Sequence, residues 1–296
     1  MQTDHLRTLA AIVDEGSFDG AAYELRITPS AVSQRIKALE AGVGQVVVER
    51  TSPCRPTRAG EVLLRLARQQ EVLHREVWDE LGAGSAGGRV PLTVAVNADS
   101  LATWFTEVIA TAASWDDTTL RLRVDDQDHT ASLLRSGEVL GGITSRPGPV
   151  SGCRSIPLGL MRYVPVATPA LRDRHRLGRS VGWATMPVVR FNAKDDLQQA
   201  FLAARGAVPG TVHEVPASEA YAAAIRAGLG WGMLPSQQLG DALETGALVR
   251  LSREHLDVPL HWQVWRMESG RVGRLTDTVV AAARRALRHL PSTSPG

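Results

Sequence analysis

Apolar positions at helical spacing dominate the beginning of the chain. Leu6, Leu9 and Val13 form one stripe within His5 to Val13. Phe18, Ala21, Ala22 and Leu25 form a second, and Val32, Ile36 and Leu39 a third. The breaks between the stripes carry residues that stop and start helices. Gly16 can end the first helix, and the Ser17 side chain can cap the exposed amides of the second. Thr28 can cap the third, with Pro29 at the first helical position, where its missing N–H is not needed. The pattern therefore predicts a three-helix core whose last two helices are joined by a tight turn.

Between Gln45 and Thr57 the prolines at 53 and 56 forbid a helix, so this stretch reads as a short wing with Arg50 and Arg55 flanking its bend. Thr57 can cap a long helix running to about Leu81. Leu63, Leu66, Leu73, Val77 and Leu81, with polar Gln70 between them, approximate a seam suited to an antiparallel partner helix. A lone helix cannot bury such a seam. Either a second copy covers it, giving a dimer with two-fold related heads, or the same chain does.

From Val90 onward, strand and helix patterns alternate. Strands are expected at 92–96, 120–124 and 139–144, and helices at 100–113 and 130–136. A second half has strands at 163–167 and 187–191 and helices at 196–204 and 218–227. The chain crosses back near 263–267 and ends on a helix over 275–290. Gly228, Gly230 and Gly232 permit a tight return after the helix at 218–227. Two lobes joined by crossing strands leave a cleft between them. The run from Gly82 to Gly87 fits a dinucleotide-binding glycine pattern, but it follows a helix and precedes a strand, the reverse of what that site needs, and reads as a hinge.

The third helix has a second face. Ser30, Ser33, Gln34 and Lys37 lie opposite its apolar stripe, where short hydroxyls, an amide and a cation can reach base edges and phosphates; a solvated face is the plainer reading. Arg35 sits at the stripe's edge, placed for a phosphate or for an internal ion pair. Net charge is only +2, which by itself says little about nucleic acid. Local charge says more, because Arg35, Lys37, Arg50, Arg55 and Arg58 outnumber Glu40 and Glu49 between Thr28 and Arg58. Cys54 and Cys153 are the only cysteines and match neither a disulfide framework nor a metal knuckle. No apolar run approaches the roughly 18 residues of a membrane span, and Asp4 and His5 do not suit a signal peptide, so a cytoplasmic location is expected.

Ala21, Ala22, Leu25, Pro29, Ser30, Ala31, Val32, Ser33, Ile36, Leu39, Glu40, Gly44 and Arg50 together resemble the N-terminal winged helix-turn-helix of LysR-type transcriptional regulators. Val47-Val48-Glu49 departs from that pattern, and different packing at the wing base is expected. The stretch from Ala227 to Pro235 resembles an element of the effector domain in the same family, so the resemblance spans the chain. It implies an all-α winged head at 1–58, a linker and dimerisation helix with hinge at 59–88, and an α/β effector domain at 89–296. That domain is two-lobed and periplasmic-binding-protein-like, with lobe I at 89–161 and 268–296 and lobe II at 162–267. It also implies double-stranded promoter DNA, RNA polymerase and a second copy as partners, with dimers able to pair into tetramers, and no cofactor or metal. The DNA-contacting set is then Ser17, Thr28, Pro29, Ser30, Ser33, Gln34, Arg35 and Lys37, with Arg50 and Arg55 from the wing.

In the effector half, two predicted helix starts, at 97–100 and 216–220, should face the cleft, making Ser100 and Ser218 partners for a carboxylate. Asp99, Asp125, Asp126, Asp128 and Glu219 lie at strand ends or helix starts and favour a cation. Capping in water is the plainer role for each acid. A zwitterion carrying an extra cation, lysine or arginine, fits both features. Asn97, Ala98, Asp99, Ser100, Leu101, Trp104, Asp125, Asp126, Ser218 and Glu219 resemble the lysine- and arginine-responsive branch of the family, which activates genes such as those for basic amino-acid export. Gln127 stands where that branch carries an acid. Thr144, at a strand end facing the hinge, completes the effector set of Asp99, Ser100, Trp104, Asp125, Gln127, Thr144, Ser218 and Glu219. A regulator of a different effector, a solute-binding protein and an enzyme are the alternatives. The missing export signal and the head disfavour the solute-binding protein, and the lack of any nucleophile or phosphate-loop pattern disfavours the enzyme.

Overall fold

The computed structural model describes residues 2–81, 89–124, 127–178 and 180–289, the side chains at 79 and 127–129 excepted. The predicted hinge at 82–88, Asp125, Asp126 and the side chains of Gln127 and Asp128 lie outside the described residues.

Helices α1 (Thr3–Glu15), α2 (Phe18–Leu25) and α3 (Pro29–Val43) bury Leu6, Leu9, Ile12, Ala21, Val32, Ile36 and Leu39 in one core. The boundaries follow the side-chain chemistry. Gly16 takes the left-handed conformation, Ser17 Oγ accepts from the Gly20 amide at 3.0 Å, and Thr28 Oγ1 accepts from the Ala31 amide at 3.2 Å. Strands β1 (Val48–Glu49) and β2 (Arg55–Pro56) form the antiparallel wing. Glu40 anchors its base by accepting from the Val47 amide at 3.0 Å, while Val47 and Val48 complete the core where the family pattern differs.

Helix α4 (Arg58–Glu80) divides its apolar residues among three environments. Leu63 and Leu66 pack into the head core, so they belong to this chain and not to an intermolecular seam. Val72 packs into the effector-domain core. Leu73, Val77 and Leu81 remain 37%, 53% and 68% exposed, and Val62 and Trp78 are exposed as well. Toward the effector domain, Glu76 Oε1 accepts from Ser269 Oγ at 2.6 Å and from the Arg271 amide at 3.1 Å, and Arg65 lies against Gly137.

The effector domain begins with β3 (Val90–Val96), α5 (Ala98–Leu101), α6 (Phe105–Ala112), β4 (Thr118–Val124), α7 (Gln127–Ser136) and β5 (Gly141–Thr144). Strands β4, β3 and β5 are parallel neighbours. The single helix expected over 100–113 is broken, because the Thr103 hydroxyl donates to the Asp99 carbonyl at 2.6 Å and Trp104 turns inward. The long β6 (Cys153–Ala167) then crosses to the second lobe, followed by α8 (Pro169–Arg174), the β7 (Arg176–Leu177) and β8 (Ser180–Val181) hairpin, β9 (Val188–Arg190), α9 (Leu197–Ala203), β10 (Val212–Glu214), α10 (Ser218–Arg226), β11 (Gly232–Pro235) and β12 (Val249–Arg250). Strand β13 (Leu256–Trp265) returns antiparallel to both β6 and β5, and α11 (Gly270–Ala286) closes the first lobe.

The sheet is therefore mixed, its parallel part ending where the two long antiparallel strands pass between lobes. Their pairing shifts between Leu260 and His261, opposite Gly159. Gly159 has φ +142°, and a Cβ there would come within 2.7 Å of the Arg288 carbonyl oxygen, so only glycine fits this crossing point. Helix α11 starts earlier than the pattern suggested. Two glycines dilute its first turns, but Ser269 caps it, accepting from the Val272 amide at 3.2 Å.

Candidate functional site

On the head, α3 presents Ser30, Gln34 and Lys37 to solvent with Ser33 half-buried beside them, and Arg55 is exposed on the wing. Ser17 and Thr28 are engaged as caps. Arg50 stacks its guanidinium over Phe18, 4.8 Å from the ring centroid, which fixes the wing against α2. Arg35 makes the internal pair of its two readings. It donates to Asp4 at 3.3 Å and to Thr8 Oγ1 at 3.4 Å, tying α3 to α1.

In the effector domain, the carboxylate of Asp99 on α5 reaches across to the second lobe. Tyr163 on β6 donates to its Oδ2 at 2.8 Å and Ser218, opening α10, donates to its Oδ1 at 3.1 Å. Gln238 in turn donates to Ser218 Oγ at 2.9 Å. The carboxylate that Ser218 binds is therefore the protein's own, where one from a ligand was expected. Burial pushes the Asp99 carboxyl above the ordinary carboxylate range, partly offset by the two hydroxyl donors, and the charge of Asp195 adds to the rise. Tyr163 is driven up by burial and by the same carboxylate, so it stays a donor.

Ser100 is fully buried and its Oγ has no hydrogen-bond partner among the described residues, and the same holds for Nε1 of buried Trp104. Thr144, also buried, accepts from the Arg146 amide at 3.1 Å. Glu219 is exposed on α10 and does not join this group, because it follows Ser218 around the helix toward solvent.

Sequence reasoning missed Tyr163, Gln198, Tyr221 and Gln238. The Tyr221 hydroxyl accepts from Gln198 Nε2 at 2.7 Å and from the Met233 amide at 3.0 Å, linking α10, α9 and β11. A Cβ on Gly232 would lie 2.5 Å from that hydroxyl, so this glycine makes room for a tyrosine where a chain turn was expected. The available signal was a lone phenol inside each apolar run.

A basic-faced winged helix-turn-helix carried on a long helix, joined to two lobes around a cleft with a buried acid, defines a class: DNA-binding regulators gated by a small ligand. The chain belongs to the LysR family. Residues 3–61 match the bacterial regulatory helix-turn-helix protein, lysR family, and residues 85–288 match the LysR substrate binding domain. The lysine export transcriptional regulatory protein LysG of Corynebacterium efficiens is 50% identical over 291 residues, 97% of this chain and 100% of that one. The HTH-type transcriptional regulator ArgP of Pseudomonas aeruginosa is 39% identical over 285 residues, 94% of each chain. Full-length LysG from Corynebacterium glutamicum, solved with bound effector Arg, has a TM-score of 0.81 at 47% identity, covering 97% of this chain and 100% of that one. ArgP from Mycobacterium tuberculosis has a TM-score of 0.88 at 47% identity, covering 97% of this chain and 98% of that one.

Proposed function

We propose that this chain is a transcription regulator whose cleft senses a basic amino acid, lysine or arginine, and whose heads activate genes such as one for basic amino-acid export. The observation that carries the reading is Asp99. It is a carboxylate in a site that penalises its charge, held by two neutral hydroxyls and, among the described residues, with no cation bonded to it. A basic amino acid would bring the missing positive charge, and the relatives named for lysine export and crystallised with arginine support that choice.

Closure of the lobes on the ligand then changes the angle between paired heads. Self-association through the exposed Leu73, Val77 and Leu81 stripe of α4 supplies the second head, and RNA polymerase is the partner that activation requires. Ser30, Ser33, Gln34 and Lys37 read the major groove, with Arg55 on phosphate.

A thermal-shift panel of the common amino acids on the purified protein tests the ligand. Lysine or arginine should raise the melting temperature, by an amount corresponding to about 2.7 kcal/mol at a hundredfold excess over Kd. A response confined to acidic or neutral amino acids would refute the reading.

A further inference from the structure

Three strands of the first lobe end level with one another at the crossing point. His261 on β13 pairs with Thr144 on β5, and β3 pairs with β5 through Ala95 and Gly142. Extending that register by two residues sets Asn97 level with Thr144. Thr144 and His261 therefore share one face of the sheet, and Asn97, the residue that follows β3 and stands at the N-cap of α5, continues the row where that strand ends. The row lies at the carboxyl edge of the parallel strands, the edge at which ligands of open α/β sheets bind.

The three are 9%, 3% and 8% exposed, yet among the described residues Asn97 Oδ1 and His261 Nδ1 have no hydrogen-bond partner, and Ser100 Oγ, just beyond Asn97, has none either. Leaving a buried polar atom unpaired is costly, and the gathering of three of those that the described residues contain at this one edge points to a molecule that binds there. The row is uncharged, since burial lowers the His261 pKa. A neutral imidazole donates from one ring nitrogen and an amide carbonyl accepts, which matches the carboxylate and ammonium on the α-carbon of an amino acid. Asp99, two residues beyond Asn97, faces the other lobe and suits the side-chain cation.

We propose that His261 is a specificity residue of the effector site, donating a hydrogen bond to the α-carboxylate and so selecting amino acids over the corresponding amines. This rests on the reading of the cleft as a basic amino-acid site. His261 also follows the pairing shift between the crossing strands, so a ligand held there grips the joint between the lobes.

Calorimetry on the full chain with lysine and cadaverine, and with arginine and agmatine, tests the assignment. Wild type should prefer each amino acid to its decarboxylated amine. His261→Ala should weaken amino-acid binding by about 10-fold to 100-fold while leaving the amine unchanged, and His261→Gln, which retains a donor, should recover part of the loss. An amino-acid to amine ratio equal to wild type in both variants would overturn the proposal. In the wild-type protein the His261 ring nitrogen resonances should move with the amino acid and not with the amine; equal movement with both, or none, would also overturn it. If wild type binds neither lysine nor arginine but does bind another amino acid, the basic-effector reading fails, and the same ratio measured for that ligand still decides the role of His261. Binding of no amino acid at all would remove both.

Discussion

Asp99 costs the fold stability, a cost that the proposed ligand would relieve. Its carboxyl is raised by burial, so the native state holds the proton more tightly than the unfolded chain and stability falls as pH climbs above the ordinary carboxylate value through the raised one. Asp99→Asn removes that penalty while still offering an acceptor to Tyr163 or Ser218. The effector-free variant should melt no lower than wild type, and its melting temperature should no longer respond to lysine or arginine. Asp257 has the opposite sign. Arg162 grips it through two hydrogen bonds of 2.8 and 2.7 Å and lowers its pKa, so its contribution is present above the ordinary carboxylate range and is lost as pH falls through the depressed value. Asp257→Asn should cost about 1 kcal/mol near neutrality by chemical denaturation, and the gap from wild type should close below about pH 4. That Asp99, Ser100 and Ser218 stand in the first turns of helices was legible in the sequence, because helix starts announce themselves through short polar side chains. That Tyr163 lies beside Asp99 and His261 beside Thr144 was not, because each is placed only by the pairing of strands far apart in the chain.

Helix α3 exposes both Lys37 and Gln34, and the proposed function gives the first to phosphate and the second to base edges. Lys37→Ala should weaken binding to every DNA fragment and reduce the salt slope by about one, and Gln34→Ala should alter sequence preference with the slope nearly kept, both read by anisotropy titrations at several salt concentrations. Equal behaviour of the two variants would invalidate the division. The caps of this element and of α2 could be read directly, since Ser17, Thr28 and Pro29 act within a few residues of themselves. The internal pairing of Arg35 was open from sequence because its partner Asp4 lies on another helix. Helix α4 was predicted correctly in length but misread in part, because helical periodicity marks which residues need cover without saying which neighbour provides it. Its exposed stripe gives a further expectation: Val77→Glu should shift the protein toward monomer in sedimentation, leaving the fold of each chain intact.

Across the whole molecule, the helix that leaves the head is fastened to the effector domain by Glu76 as well as by Val72 and Arg65. One carboxylate oxygen on α4 holds both the Ser269 hydroxyl and the Arg271 amide at the start of α11, and this helix packs on the first lobe. Glu76→Ala should leave the thermal response to arginine and the effector-free DNA affinity close to wild type while shrinking the change in DNA affinity that arginine produces. An undiminished change would show that coupling runs elsewhere.

The placement of Leu63 in one core and Val72 in another, about two and a half turns apart on a continuous helix, has an evolutionary corollary. The two halves share a lever arm, so a repacking substitution that adapts one of them to heat also applies torque to its counterpart. Descendants of this chain that acquire a new ligand would then tend to drift in operator choice too, and swapping sensing halves between relatives would work best where the surroundings of both Leu63 and Val72 are matched.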